Sequence, residues 1–247
     1  MSRHANPTTV LLPGLACDAE LWREQLRALG PRHAPRVADV HTRAPTLPEM
    51  ASLLLAEQPG ELVLIGASMG GRIALEAARQ APGRVRALAL LGSTARADTD
   101  ELRAVRSEAV AHFDAGHGDD LLEANVWFVF HRSAWDDEAL IDRYRAMLRR
   151  TGFAQLARQN RAIMSAADMR PSLRSIACPT LVVCGENDDV TPPECSREMA
   201  ESIPGSRLAF LPDCGHMLTM EKPAAVNQLL LDWLASLEPE HAALGAG

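Results

Sequence analysis

Short runs of apolar residues recur along this chain, separated by longer amphipathic stretches. The clearest runs are Thr9 to Leu12, Leu62 to Ile65, Ala87 to Leu91, Thr180 to Val183 and Leu208 to Leu211, with a weaker one at Arg36 to Val40. Runs of this length without polar alternation predict strands buried on both faces, as in a parallel sheet covered by helices. Between them, Leu47 to Glu57, Met69 to Gln80, Pro193 to Ser202 and Ala224 to Leu237 place apolar residues at helical spacing. Parallel neighbours need crossover connections, so the expected class is α/β with a mostly parallel sheet of about six strands, one for each apolar run.

From about residue 95 to 167 this alternation stops and the chain turns helical and strand-poor. The expected organisation is therefore a core made of residues 1–94 and 168–247, with a helical lid inserted at 95–167. Of the chain's ten aromatic residues, seven fall in the insertion: Phe113, Trp127, Phe128, Phe130, Trp135, Tyr144 and Phe153. An apolar cover over a cleft has this composition, which makes Trp127, Phe128, Phe130 and the adjacent His131 candidates for lining a pocket. The alternative is that the helices need these side chains for a core of their own.

Composition narrows the chemistry. Against 25 basic residues stand 32 acidic ones, for a net charge of −7, so nothing favours nucleic acid as a partner. The sole lysine is Lys222, in Glu221-Lys222-Pro223. A phosphate-binding loop needs a lysine after its glycines and a pyridoxal enzyme needs one for its Schiff base; neither can be built from that position. Five cysteines, Cys17, Cys178, Cys184, Cys195 and Cys214, form no C-x-x-C pair, which reads as reduced thiols rather than a disulfide framework or zinc ribbon. His112, Asp114, His117, Asp119 and Asp120 form an acidic and imidazole-bearing string, but the spacing fits no metal-ligand pattern. Met1 to Pro7 lacks the basic start and apolar run of a signal peptide. No apolar run approaches the roughly 20 residues that span a bilayer, so a cytoplasmic protein without metal or organic cofactor is expected.

The chemistry concentrates at Gly66-Ala67-Ser68-Met69-Gly70-Gly71, placed directly between a predicted strand and a predicted helix. A serine on so sharp a turn needs small neighbours, because the backbone is strained and the helix packs closely on the strand. The helix N-terminus then directs unpaired N–H groups at the same place. A serine hydroxyl is a weak nucleophile at neutral pH and needs a histidine base, which an acid in turn orients. Asp188 and Asp189 follow the strand at Thr180, and His216 follows the next strand in Pro212-Asp213-Cys214-Gly215-His216. All three loops then leave the C-terminal edge of the sheet, where ligands gather in open α/β folds.

These residues resemble the α/β-hydrolase family over nearly the whole chain: the Leu11-Leu12-Pro13-Gly14-Leu15 loop, the Ser68 elbow, the Gly185, Asp188 and Pro192 spacing, and the Gly215-His216 pair. The resemblance implies Ser68 as nucleophile, His216 as base and Asp188 as acid, with Asp189 the competing choice. It also implies an oxyanion hole from the backbone N–H groups of Leu15 and Met69. Two departures stand out. Pro13 occupies the place of a usual histidine, and about seven residues precede the first strand, leaving no room for the family's antiparallel hairpin. Arg72 matches an arginine that meets an anionic group in the menaquinone-pathway lyase of this fold, whereas in most relatives that position lies on the helix surface.

Dehalogenases and epoxide hydrolases of the fold carry Asp where Ser68 stands, and hydroxynitrile lyases carry Lys where Met217 stands. The implied activity is hydrolysis of a small carboxylic ester or lactone through an acyl-enzyme. A carbon-carbon bond hydrolase and a menaquinone-pathway-type lyase use the same triad and remain alternatives. From another class, so does a ligand-binding, receptor-like protein with little turnover.

Overall fold

Each central strand divides its side chains between two apolar cores. In the computed structural model, which describes residues 7–238, the strands are β1 (Thr8–Leu12), β2 (Arg36–Val37), β3 (Leu62–Ala67), β4 (Val85–Leu91), β5 (Thr180–Gly185) and β6 (Arg207–Leu211). One core takes Leu11, Val63, Ile65, Ala89, Leu91, Leu181 and Val183. The other takes Val10, Leu12, Leu62, Leu64, Leu88, Leu90 and Val182. Successive residues of a strand point to opposite faces, so burial on both faces demands apolar residues at every position. That is why these strands read as continuous runs.

The helices are α1 (Arg23–His33), α2 (Leu47–Glu57), α3 (Met69–Gln80), α4 (Asp100–Asp114), α5 (Asp119–Val129), α6 (Glu138–Thr151), α7 (Phe153–Met164), α8 (Pro193–Ser202), α9 (Leu218–Glu221) and α10 (Pro223–Ser236). On the first core lie α1 and α10, through Leu29, Val226, Leu230 and Trp233. On the second lie α2, α3 and α8, through Met50, Leu54, Ile73, Ala77 and Met199. Helices α4 to α7 fill the strand-poor interval between β4 and β5. None of the described helices is long and apolar enough to cross a membrane.

The strand order is β2-β1-β3-β4-β5-β6, and all five pairings are parallel. The chain leaves β1 to one side for β2 and returns on the other side as β3, which makes the β1–β3 boundary the point where winding reverses. Loops diverge there at the C-terminal edge and open a crevice. Two local departures from the sequence pattern have physical causes. The run at Arg36 to Val40 is strand only over Arg36–Val37, because a 3-10 turn begins at Val40. Helix α1 escapes the periodicity because only Gln25 and Leu29 are buried and Gly30, at φ 47° and ψ −156°, kinks it beside Pro31.

Helix α3 lies so close to β1 and β3 that two glycines are obligatory. A Cβ on Gly66 would overlap the Gly70 carbonyl, and one on Gly70 would overlap the Leu12 carbonyl oxygen. Both clashes are with backbone, which cannot turn aside. Gly70→Ala is therefore expected to lower the free energy of unfolding by about 2–3 kcal/mol. Gly83→Ala, in open space, is expected to change it by less than about 0.5 kcal/mol. Urea denaturation of the two variants at a common m-value checks the contrast.

Candidate active site

Strand β3 ends at Ala67 and α3 starts at Met69, so one residue makes the turn. Ser68 adopts φ 51° and ψ −117°, a conformation that costs a side-chain-bearing residue about 1–3 kcal/mol and persists only where its surroundings enforce it. Here its N–H donates to the Leu91 carbonyl at 2.9 Å. Its own carbonyl accepts from Gly71 N–H at 3.0 Å and from Ser93 Oγ at 2.8 Å. Ser68 is left partly exposed at the start of α3. On the β1 side, a Cβ placed on Gly14 would stand 3.2 Å from Ser68 Cβ, so the loop after β1 lies against the serine. The N–H groups of Leu15 and Met69 donate to no group among the described residues. The loop of Leu15 and the start of α3 at Met69 thus both adjoin Ser68, with the two N–H groups unspent.

Beyond β5, the Asp188 carboxylate is buried, 1 % exposed, and collects donors. Val190 N–H at 2.9 Å, Thr191 N–H at 2.8 Å and Thr191 Oγ1 at 2.9 Å all donate to it. His216 Nδ1 approaches its two oxygens at 3.0 and 2.8 Å. Burial on its own would raise the Asp188 pKa, but the His216 charge and the bonds from His216 and Thr191 outweigh it and hold the group below its ordinary 3.8. An ionised carboxylate only accepts, so Nδ1 carries the hydrogen and a neutral His216 keeps its lone pair at Nε2. That is the tautomer a general base needs. Asp189, the competing acid, is exposed. Gly92, at the end of β4 with φ 50°, is what lets this pair sit beside the serine strand: a Cβ there would stand 3.2 Å from Asp188 Oδ2 and 3.4 Å from His216 Nδ1. Among the described residues no hydrogen bond joins Ser68 Oγ to His216; such bonds commonly tighten only with substrate bound.

Glu221 went unnoticed in the sequence except as the neighbour of Lys222. Its carboxylate accepts from the N–H groups on either side of His216, Gly215 at 3.0 Å and Met217 at 3.0 Å, and from His131 N–H at 2.9 Å. Burial raises its pKa and the three N–H donors oppose the rise. The His216 N–H donates to the Val129 carbonyl at 2.8 Å, so the end of α5 is tied to the histidine loop. Glu221 stands five residues after His216, and no motif marks it in the sequence.

The other sequence-derived residues separate. His131 meets the histidine loop through its backbone, while its ring faces Ser133 Oγ at 2.8 Å. Phe130 is buried edge-on to Tyr144, with centroids 5.1 Å apart. Trp127 is 45 % and Phe128 53 % exposed, and Trp127 packs edge-on against Trp135 at 5.5 Å. Arg72 is 3 % exposed, and its Nε and Nη2 have no hydrogen-bond partner among the described residues. Burial lowers its pKa to about 10, with Asp98 and Asp168 opposing and Arg106 adding to the fall. Asp168 itself pairs with Arg170 at 2.6 Å. Asp114 of the acidic string pairs with Arg161, and among the described residues no cluster of His, Cys, Asp or Glu is placed to hold a metal ion. A recess of about 600 Å³ opens at the opposite, N-terminal edge of the sheet, lined by Glu61, Cys178, Arg207 and Trp233 among others.

The alpha/beta hydrolase fold model matches residues 49–223, an interval that includes Ser68, Asp188 and His216. Over an alignment of 252 positions the chain is 27% identical to a protein of Serratia proteamaculans named putative carbamate hydrolase RutD, covering 92% of this chain and 91% of that protein. A thermophilic esterase from Thermogutta terrifontis superposes with a TM-score of 0.86 at 25% identity, over 95% of this chain and 92% of its own. The enol-lactonase from Burkholderia xenovorans LB400 gives 0.82 at 26% identity, over 95% and 94%. With most of its length matched by the family model and its sheet wound in the same way as these structures, this chain belongs to the α/β-hydrolase fold family.

Proposed function

We propose that this protein is a serine hydrolase of small carboxylic esters or lactones that works through an acyl-enzyme on Ser68. The observation that carries the reading is the buried Asp188–His216 pair, bonded at 2.8 Å and packed against Gly92 at the end of the strand next to Ser68. His216 Nε2 takes the hydroxyl proton as Ser68 Oγ attacks the carbonyl carbon. The tetrahedral oxyanion is received by the N–H groups of Leu15 and Met69, each worth on the order of 3 kcal/mol in the transition state. His216 then protonates the leaving alcohol, and a water molecule, deprotonated by His216, releases the acid and restores Ser68. Asp188 holds the imidazole in register and stabilises its cationic form.

Helices α4 to α7 act in this reading as a lid, with the exposed Trp127 and Phe128 as its candidate substrate contacts. Arg72 lies one helical turn beyond Ser68, and a buried guanidinium with donors unspent is costly unless something anionic completes it. We assign it to an acidic group on the substrate. The structures of an esterase and an enol-lactonase among the similar proteins support ester or lactone chemistry. The unpaired cysteines fit a reducing compartment such as the cytoplasm.

Ser68→Ala is expected to lower kcat on p-nitrophenyl butyrate by about 10⁴-fold or more and to abolish fluorophosphonate labelling. Normal turnover by that variant would sink the mechanism. Asp188→Asn, which inverts the imidazole tautomer, is expected to lose about 10⁴-fold in kcat with the fold unchanged by circular dichroism. Arg72→Met is expected to raise the unfolding free energy by on the order of 1 kcal/mol, since it removes an unpartnered buried charge. The same variant should lower kcat/KM on esters with a free carboxylate by about 10–100-fold relative to neutral esters. An unchanged ratio in paired kinetics would remove Arg72 from the substrate site.

A further inference from the structure

The loop that carries Leu15 is held chiefly by groups outside it. Ala16 N–H donates to Gln159 Oε1 of α7 at 2.8 Å, and the Ala16 carbonyl accepts from Thr151 Oγ1 of α6 at 2.9 Å. The Cys17 carbonyl meets His41 Nε2 at 2.8 Å, and Cys17 N–H donates to Gly14 O at 3.2 Å. Asp18 pairs with Arg150 of α6 at 2.7 Å. Gln159 is 1 % exposed, and its amide nitrogen also reaches the His41 carbonyl at 3.4 Å. Between these anchors Ala16 holds φ 64°, a left-handed conformation that an alanine adopts at a cost of about 1–2 kcal/mol.

The ties are selective. The amides of Ala16 and Cys17 are engaged, whereas those of Gly14 and Leu15 donate to no group among the described residues. Release of Ala16 to an ordinary negative φ rotates the Leu15–Ala16 peptide about its flanking bonds. Its carbonyl and N–H then exchange directions, and the adjoining Gly14–Leu15 peptide, which bears the Leu15 N–H, loses its fixed aim. A donor misplaced by a fraction of an ångström forfeits much of its stabilisation, because oxyanion donors work by being oriented in advance.

We propose that Gln159 is a positioning residue for oxyanion stabilisation: by gripping Ala16 N–H from the intervening helices, it keeps the Leu15 N–H directed at the space beside Ser68. The inference rests on the acyl-enzyme reading above. It makes α6 and α7 part of the machinery that shapes the oxyanion site as well as a cover over it.

The experiment compares wild type, Gln159→Leu and Gln159→Glu, the last of which keeps an acceptor for Ala16 N–H. Steady-state kinetics on p-nitrophenyl butyrate are read beside inhibition by an alkyl trifluoromethyl ketone, whose serine adduct places an oxyanion in the hole. Gln159→Leu is expected to lose about 10–100-fold in kcat with KM within about threefold, and to lose ketone affinity by a similar factor. Gln159→Glu, which still accepts from Ala16 N–H but loses the amide donor to the His41 carbonyl, should recover part of both. Should Gln159→Leu fail to fold, Thr151→Val, which frees the Ala16 carbonyl, is read by the same two measurements with the same expected signs. A wild type labelled by fluorophosphonate, with variants whose kcat and ketone affinity are unchanged, overturns the role of Gln159 alone. So does a loss of kcat without loss of ketone affinity, or an effect on KM only. A wild type that neither turns over ester nor labels overturns the acyl-enzyme reading and this inference with it.

Discussion

One residue joins β3 to α3, and the brevity of that turn governs what can surround it. A helix that starts this soon after a strand must lie directly on it, so Gly66 and Gly70 carry no side chain and the Leu12 carbonyl of β1 comes into contact with the helix. The same closeness brings the loop after β1 against Ser68, at the point where the winding of the sheet reverses. The strain at Ser68 is held in place by Leu91 and Ser93 of the next strand and its loop. Geometry that would relax in a flexible loop is therefore maintained by the rigid centre of the sheet.

Two buried charges near this turn are treated in opposite ways. Asp188 is surrounded by donors from its own loop and by His216, which keeps it ionised despite its burial. Arg72 is equally buried, but its Nε and Nη2 are unmatched among the described residues. A carboxylate satisfied within the protein can orient a neighbour without needing a ligand. A guanidinium left with open donors has a reason to seek one.

Helices α4 to α7 touch both halves of the proposed machinery. The Val129 carbonyl and His131 N–H join the histidine loop, the latter through Glu221. Thr151, Arg150 and Gln159 join the loop of Leu15. A segment anchored at both places cannot shift as a body without disturbing the groups on either side of Ser68, which couples these helices to the geometry around the serine.

The α/β class, the parallel sheet and the three chemical loops were legible because each rests on local rules. Burial on both faces writes a continuous apolar run, and a one-residue turn between strand and helix requires glycines around Ser68. Helix α1 was not legible, since Gly30 breaks its period and few of its positions are buried. The Gly185, Asp188 and Pro192 spacing already favoured Asp188 over its neighbour, and the folded chain adds the physical difference: Asp188 is buried on His216 while Asp189 is exposed. Glu221 and Gln159 were invisible because each binds backbone N–H groups, which every sequence supplies and no motif marks. What the residues determined by themselves was the order of elements and the types of group at the strand ends. Which aromatic faces outward, which charge is left unmatched and which side chain binds the loop of Leu15 were decided by contacts between segments as distant as Ala16 and Gln159. Hydrogen bonding and burial depend on positions in space, and those exist only once the chain has folded.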